Sequence, residues 1–183
     1  MIDRRRFIQF GLAAGASLGL PATALAAVWN GGAEPRRVIF KNIHTDEALD
    51  AVYWEKGAYV PDALEAVNKL LRDFRTGEVH PIEPRLLDVL SDLHQSSGSA
   101  APFQVVSGFR SPATNAALRE VSAEVAKRSL HMDGMAMDLY LDDVALDRLH
   151  EAAMDMSRGG VGYYPATGFI HVDVGPLRHW QGA

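Results

Sequence analysis

The stretch Ser129-Leu130-His131-Met132-Asp133-Gly134-Met135-Ala136-Met137-Asp138-Leu139-Tyr140-Leu141 changes character at its glycine. After Gly134 the residues alternate. Ala136, Asp138 and Tyr140 fall on one face and Met137, Leu139 and Leu141 on the other, which is the period of a strand. Asp138 therefore stands within an otherwise apolar strand, where an ionised carboxylate is costly unless a cation or hydrogen bonds compensate it. His131 lies seven residues earlier. On one continuous helix the two Cα atoms would be ~10 Å apart, too far for easy shared ligation. A turn at Gly134 lets His131 fold back over the strand, and the small Ala136 leaves room beside an ion on the same face.

A second strand, Phe169-Ile170-His171-Val172-Asp173-Val174, carries the next piece. Period-2 alternation places Phe169, His171 and Asp173 on one face while Ile170, Val172 and Val174 face the core. If the two strands are neighbours, His131, Asp138 and His171 form a two-histidine, one-carboxylate set. Three protein ligands with an open position for water is the arrangement of catalytic zinc. Each residue alone also has an ordinary reading: a loop histidine, a turn-facing acid, a satisfied core histidine. The chain of 183 residues contains no cysteine, which excludes disulfides, a thiol nucleophile and thiolate metal sites, so a metal here must be held by His, Asp or Glu.

Outward from these strands the pattern is that of one domain. Val38 to His44 alternates as a strand. A helix is expected from Val60-Pro61-Asp62, with Asp62 as N-cap and Glu65 completing a capping box, and Leu64, Val67, Leu70, Leu71 and Phe74 on its apolar face. A second helix spans about Glu83 to His94 with a stripe of Leu86, Leu87, Leu90 and Leu93. A strand follows at Phe103 to Gly108, then a short helix near Thr114 that includes Ala117, Leu118 and Val121, and a further helix from about Asp143 to Met156. With no repeat or linker, residues 38–183 read as a single α+β domain: a central, largely antiparallel sheet with flanking helices. Residues 27–37, with Gly31, Gly32, Pro35 and Arg36-Arg37, read as a flexible N-terminal segment.

Residues 1–26 read as an address. Arg4-Arg5-Arg6-Phe7 precedes an uncharged run from Phe10 to Leu20 and the small-residue exit Ala24-Leu25-Ala26, the pattern of a secretory signal of twin-arginine type, with an apolar run too short to span a bilayer. Cleavage after Ala26 leaves 157 residues and, with three Arg and one Asp removed, a net charge of −7 in place of −5. Such a chain has no basic field for nucleic acid.

The run Ser129-x-His131-x-x-Gly134-x-Ala136-x-Asp138, with a later strand bearing His171, resembles the signature of the zinc D-Ala-D-Ala carboxypeptidase and Hedgehog-fold peptidases. Ser107-Gly108-Phe109-Arg110-Ser111-Pro112-x-Thr114-Asn115 is similar to the segment that precedes it in those enzymes. The likeness extends through Asn42-x-His44-Thr45, Leu71-Arg72-Asp73, Gly77-Glu78-Val79-His80-Pro81 and Gly159-Gly160-Val161-Gly162-Tyr163-Tyr164, and is to the exported zinc murein endopeptidases of the MepK type.

The resemblance implies a Hedgehog/DD-peptidase-like fold, Zn2+ held by His131, Asp138 and His171, and Arg110 reaching into the site to polarise a carbonyl and stabilise an oxyanion. It also implies periplasmic action on peptidoglycan stem peptides and their crosslinks, with no membrane span after signal cleavage. In one place the chain departs from the pattern. Many peptidases of this fold carry an acidic base three residues before the last histidine ligand, and Gly168 stands there. Asp173 is its substitute, either as base or as a carboxylate orienting a ligand histidine; Asp133 is a weaker candidate. Asn115, Tyr163 and Tyr164 are candidate substrate contacts, and His44, His80 and His179 candidate rim residues. Because of Gly168, a non-catalytic zinc module that binds cell-wall peptides stays open beside the endopeptidase, as do a D,D- or L,D-carboxypeptidase on stem peptides and a peptidase acting outside murein.

Overall fold

The computed structural model describes residues 34–122 and 125–182, so the expected signal at 1–26 and most of the segment 27–37 lie outside the described residues. Eight strands form one sheet: β1 (Arg36–Asn42), β2 (Ala48–Glu55), β3 (Ala58–Tyr59), β4 (Phe103–Ser107), β5 (Ala136–Tyr140), β6 (Gly160–Tyr164), β7 (Phe169–Asp173) and β8 (Arg178–Gln181). Their order is β3-β2-β1-β4-β5-β7-β6-β8. Every neighbouring pair is antiparallel except β1 with β4 and β6 with β8. With helices α1 (Pro61–Leu70), α2 (Pro84–Ser97), α3 (Pro112–Val121) and α4 (Leu146–Met156), this is the expected α+β architecture with a largely antiparallel sheet.

The core lies between the sheet and helices α1, α2 and α4. Leu86, Leu87, Leu90 and Leu93 of α2 and Leu149 of α4 are fully buried with Phe40, Phe103, Met137, Leu139 and Ile170 of the strands. Burying side chains of this size contributes ~1.5–3 kcal/mol apiece before the entropy cost of ordering them. Since Met137 and Leu139 take the core side of β5, and Ile170 and Val172 that of β7, Asp138 and His171 must point to the opposite face. That is how a hydrophobic pattern positions a polar site.

Several local expectations are corrected. Helix α1 begins at Pro61 with Val60 as N-cap and no side-chain cap bond, so Asp62 is not the cap; proline has φ preset for the first helical position and no N–H to satisfy. In α2, Glu83 is the N-cap, accepting from Arg85 N, and the helix runs to Ser97, where Gly98 closes it in the left-handed conformation. Arg36 and Arg37 are strand residues, not part of a flexible segment; Arg36 reaches Asp88 at 2.8 Å and Arg37 pairs with Asp50 across β1 and β2. β1 stops at Asn42 because the chain turns there, Asp46 N donating to Asn42 O at 2.9 Å. Helix α3 buries Thr114 and Asn115 and leaves Val121 81% exposed, the reverse of its expected apolar face, and α4 starts at Leu146 instead of Asp143. Among the described residues no helix is long and apolar enough to cross a membrane.

Candidate metal centre

Strands β5 and β7 pair so that Asp138 lies directly opposite His171, which puts both side chains side by side on one face. His131 arrives from a 3-10 turn, Leu130–Asp133, that ends on Gly134 at φ 65. A Cβ at position 134 would collide with the Pro81 carbonyl oxygen, so only glycine fits this turn. Met135 N donates to Leu130 O at 3.0 Å and Arg110 N to His131 O at 3.1 Å, fixing the turn against the strand and against the loop after β4.

The three side chains converge. His171 Nδ1 lies 2.8 Å and His131 Nε2 3.2 Å from Asp138 Oδ1, and the two ring nitrogens are 3.2 Å apart. All three residues are buried, with 2%, 7% and 8% exposure for His131, Asp138 and His171. Each histidine is held through its other nitrogen: His131 Nδ1 is 2.7 Å from the Gly108 carbonyl oxygen, and His171 Nε2 is 3.0 Å from Asp173 Oδ2. A neutral ring whose proton is engaged on that side presents a lone pair from its other nitrogen. Two lone pairs and a carboxylate oxygen meet in one buried spot, which demands positive charge, and the arrangement of backbone carbonyl and carboxylate behind the rings is that found behind metal-binding histidines. These ligand atoms all lie within 4.8 Å of one another and can hold one metal ion.

The electrostatics show the same demand for positive charge, met on the side chains alone by a proton on His171. Burial works to raise the Asp138 carboxyl, but the charge and hydrogen bonds of His131 and His171 hold it well below the usual carboxylate range. Burial pushes His131 down. For His171 burial is outweighed by Asp138 and Asp173, which raise it to about 9.

Asp173 is 0% exposed. Its Oδ1 accepts from Gly160 N (3.0 Å), Gly175 N (2.8 Å) and Arg178 Nη1 (3.2 Å), and its Oδ2 from Arg178 Nη2 (2.7 Å) as well as His171. These bonds, led by that of His171, overcome burial and hold its carboxyl at about 2. It lies behind the histidine, outside the cleft lining.

A cleft of about 420 Å³ opens over the three ligands, walled also by Arg110, Tyr164 and Trp180. Arg110 follows Gly108, whose Cα passes so close to the Leu71 backbone that a Cβ would sit 2.6 Å from the Leu71 oxygen. Its Nη2 lies 3.4 Å from Asp138 Oδ2 and 3.3 Å from Ser107 Oγ, and its buried Nε has no partner among the described residues. Burial lowers its pKa against the pull of Asp138, yet a guanidinium keeps its proton. Tyr164 stacks on Phe169 at 4.6 Å, and Trp180 Nε1 donates to Tyr164 Oη at 2.9 Å with the indole 5.1 Å from the His171 ring.

The remaining candidates lie elsewhere. Asn115 is 3% exposed and does not itself line the cleft, but it donates from Nδ2 at 3.1 Å to the carbonyl oxygen of Ala126, which does. Tyr163, alternating with Tyr164, stacks on His150 at 4.6 Å. His44 stacks on Phe74 and His80 on Phe109, while His179 lines a separate small cavity with Met154 and Leu177. Asp133 is exposed in its turn and does not line the cleft. Gly168 sits in the β6–β7 turn at φ 77, a left-handed position that favours glycine. Trp180, Arg178 and Arg128 are among the cleft residues that sequence reading missed; β8 is a four-residue strand after a Gly-Pro turn with no alternation to signal it.

A His–His–carboxylate set at the floor of a cleft, on the open face of an α+β sheet, is an arrangement that can hold a single metal ion, as mononuclear metallohydrolases do. The family model described as peptidoglycan L,D-endopeptidase MepK matches residues 30–180, and the chain belongs to that family. It is 39% identical over 179 residues to the peptidoglycan L,D-endopeptidase MepK of Escherichia coli (strain K12), covering 97% of each chain. It is 37% identical over 182 residues to the probable peptidoglycan L,D-endopeptidase MepK of Haemophilus influenzae, covering 98% of this chain and 96% of the relative. No solved structure matches. The resemblance read from Ser129 to Asp138 is borne out by these matches.

Proposed function

We propose that this chain is a zinc-dependent endopeptidase that hydrolyses amide bonds in the crosslinks between peptidoglycan stem peptides. The observation that carries the reading is the convergence of His131 Nε2, His171 Nδ1 and Asp138 Oδ1 within 3.2 Å at the floor of an open cleft. Family membership supplies the substrate class, since the relatives are named as peptidoglycan L,D-endopeptidases. The sheet is assigned to the Hedgehog/DD-peptidase type, residues 38–183 to the peptidase domain and residues 1–26 to an export signal of twin-arginine type, which places the mature enzyme in the periplasm beside its substrate.

His131, Asp138 and His171 would hold the ion. When bound, zinc supplies the Lewis acid and the water of lowered pKa that amide hydrolysis at neutral pH requires. Arg110, buried beside Asp138, is aimed where negative charge develops on the scissile carbonyl oxygen and stabilises it without reorganising. Asp173 acts as a positioning residue and not as the base: both its oxygens are occupied, it is sealed from the cleft, and by engaging a proton on His171 Nε2 it would leave Nδ1 free as a ligand atom. Tyr164 and Trp180 form an aromatic wall for the peptide.

The test is digestion of intact sacculi by the zinc-loaded protein, with and without chelator, products being resolved by mass. Crosslinked dimers should fall to monomers, and chelator should stop this. Trimming of monomers without loss of dimers would support a carboxypeptidase. Unchanged muropeptides, or full activity in Asp138→Ala, would overturn the enzyme reading in favour of a binding module.

A further inference from the structure

The charges of the cleft are uneven. The chain as a whole is acidic, with 23 Asp and Glu against 18 Lys and Arg, yet the cleft is lined by Arg110, Arg128 and Arg178 and by a single acid, Asp138. Two of the three cations are matched. Arg110 faces Asp138 at 3.4 Å, and Arg178 clamps Asp173 with both terminal nitrogens at 3.2 and 2.7 Å. Arg128 has no ion pair or hydrogen bond among the described residues. That is unusual for this protein, in which eight described arginines hold a carboxylate. Of the others, Arg75 lies over the Phe74 ring at 4.2 Å and Arg119 is exposed on α3, outside the cleft lining. Arg128, exposed in the cleft lining, is thus the cleft cation without a carboxylate partner among the described residues.

We infer that Arg128 is a specificity determinant that pairs with a free carboxylate of the bound stem peptide. The inference rests on the peptidase reading above and deepens it by naming the substrate group. A guanidinium takes a carboxylate through two parallel N–H donors, a geometry a carboxamide cannot match with equal charge. Position bounds which carboxylate is read. Arg128 precedes the ligand His131 by three residues, so their Cα atoms are at most ~11 Å apart. An extended peptide advances ~3.3 Å per residue and the arginine side chain adds its own reach, so the group recognised lies within a few residues of the cut bond. In a protein of net negative charge this cation also offsets the general repulsion of an acidic peptide.

The experiment uses two synthetic crosslinked stem peptides that differ in one group, a free carboxylate or a carboxamide on the residue flanking the scissile bond, with the zinc-loaded protein. The unaltered protein should favour the carboxylate peptide at least tenfold in kcat/KM. Arg128→Gln should raise KM for that peptide tenfold or more with kcat within about twofold, shift the carboxamide peptide less than threefold, and so abolish the preference, while Arg128→Lys retains part of it. Equal cleavage of both peptides by the unaltered protein, or equal losses on both in Arg128→Gln, overturns the inference. If neither peptide is cut, the peptidase reading is what fails. Calorimetric binding of the intact pair then decides the subsite separately: a carboxylate preference lost in Arg128→Gln supports it, and equal binding overturns it.

Discussion

Two carboxylates in this molecule each gather several side chains, one at the β1–β3 end of the sheet and one on β5, and they do so in different ways. Asp88 of α2 accepts from Arg36 Nη1 at 2.8 Å, Tyr53 Oη at 2.9 Å and Tyr59 Oη at 2.8 Å. Every partner has a hydrogen to give, and burial together with Asp88 pushes the Tyr53 hydroxyl well above its ordinary pKa, so its proton stays. That network closes on itself. Asp138 instead meets two imidazole nitrogens whose protons are committed behind them, to the Gly108 carbonyl and to Asp173. With both rings neutral, acceptors face acceptors and a cation completes the set; on the side chains alone that charge is a proton on His171, whose pKa Asp138 and Asp173 raise to about 9. A structural polar cluster satisfies its members; a binding cluster is built with an unmet demand.

The sharpest way to break this contrast is the same substitution at both ends. Asp138→Asn should lose bound metal and at least about a thousandfold of muropeptide hydrolysis, as judged by metal content and product mass, because a ligand charge is gone. Asp88→Asn should keep both. Its effect is confined to stability, a loss of about 1–3 kcal/mol in denaturant unfolding, since it weakens hydrogen bonds that serve no chemistry. Equal effects of the two changes on activity would remove the distinction.

Smaller changes sharpen it. Arg110→Ala should keep metal and lose about a hundred- to thousandfold in kcat, the cost of one preorganised oxyanion donor. Asp173→Ala should weaken metal affinity about ten- to hundredfold in competition with a chromogenic chelator, because His171 loses the group that fixes its tautomer. If Asp173→Ala instead keeps full affinity and loses turnover, Asp173 is the base.

The smallest effect belongs to Asp73, a structural carboxylate that supports the site. It is 2% exposed and accepts from Ser111 N at 2.9 Å and Arg75 N at 3.0 Å, tying the loop that carries Arg110 to the loop after α1. Burial opposes its ionisation, but Thr114, Ser111 and Arg75 hold its carboxyl at about 2. A folded value below the unfolded one of about 3.9 means that this stabilisation is present above pH ~4 and is lost as pH falls through about 2. Asp73→Asn should flatten that part of the stability curve between pH ~4 and 2, followed by thermal unfolding.

Much of the site was legible because it obeys short-range rules. The alternation of Met137, Leu139, Ile170 and Val172 with Asp138 and His171 assigned faces correctly, since a strand has one period and the core takes one face. The glycine at 134 announced the turn that brings His131 back. The face of α3 was not legible, because this helix buries a polar turn, with Thr114 5% and Asn115 3% exposed, in place of its apolar residues. Asp173 was correctly seen as sharing a face with His171, but which of its two roles the surroundings permit depends on Gly160, Gly175 and Arg178, from three different points of the chain.

What the sequence by itself determined, then, was the set of chemically competent residues and the side of each strand on which they stand, because both follow from residue type and local period. Only the tertiary structure decided that β5 and β7 are neighbours in a register placing Asp138 against His171, that β8 brings Trp180 and Arg178 to the cleft, and that Asp173 is sealed behind the site. Strand order and long-range register arise from packing the whole core at once, and no local pattern encodes which distant segment will lie alongside.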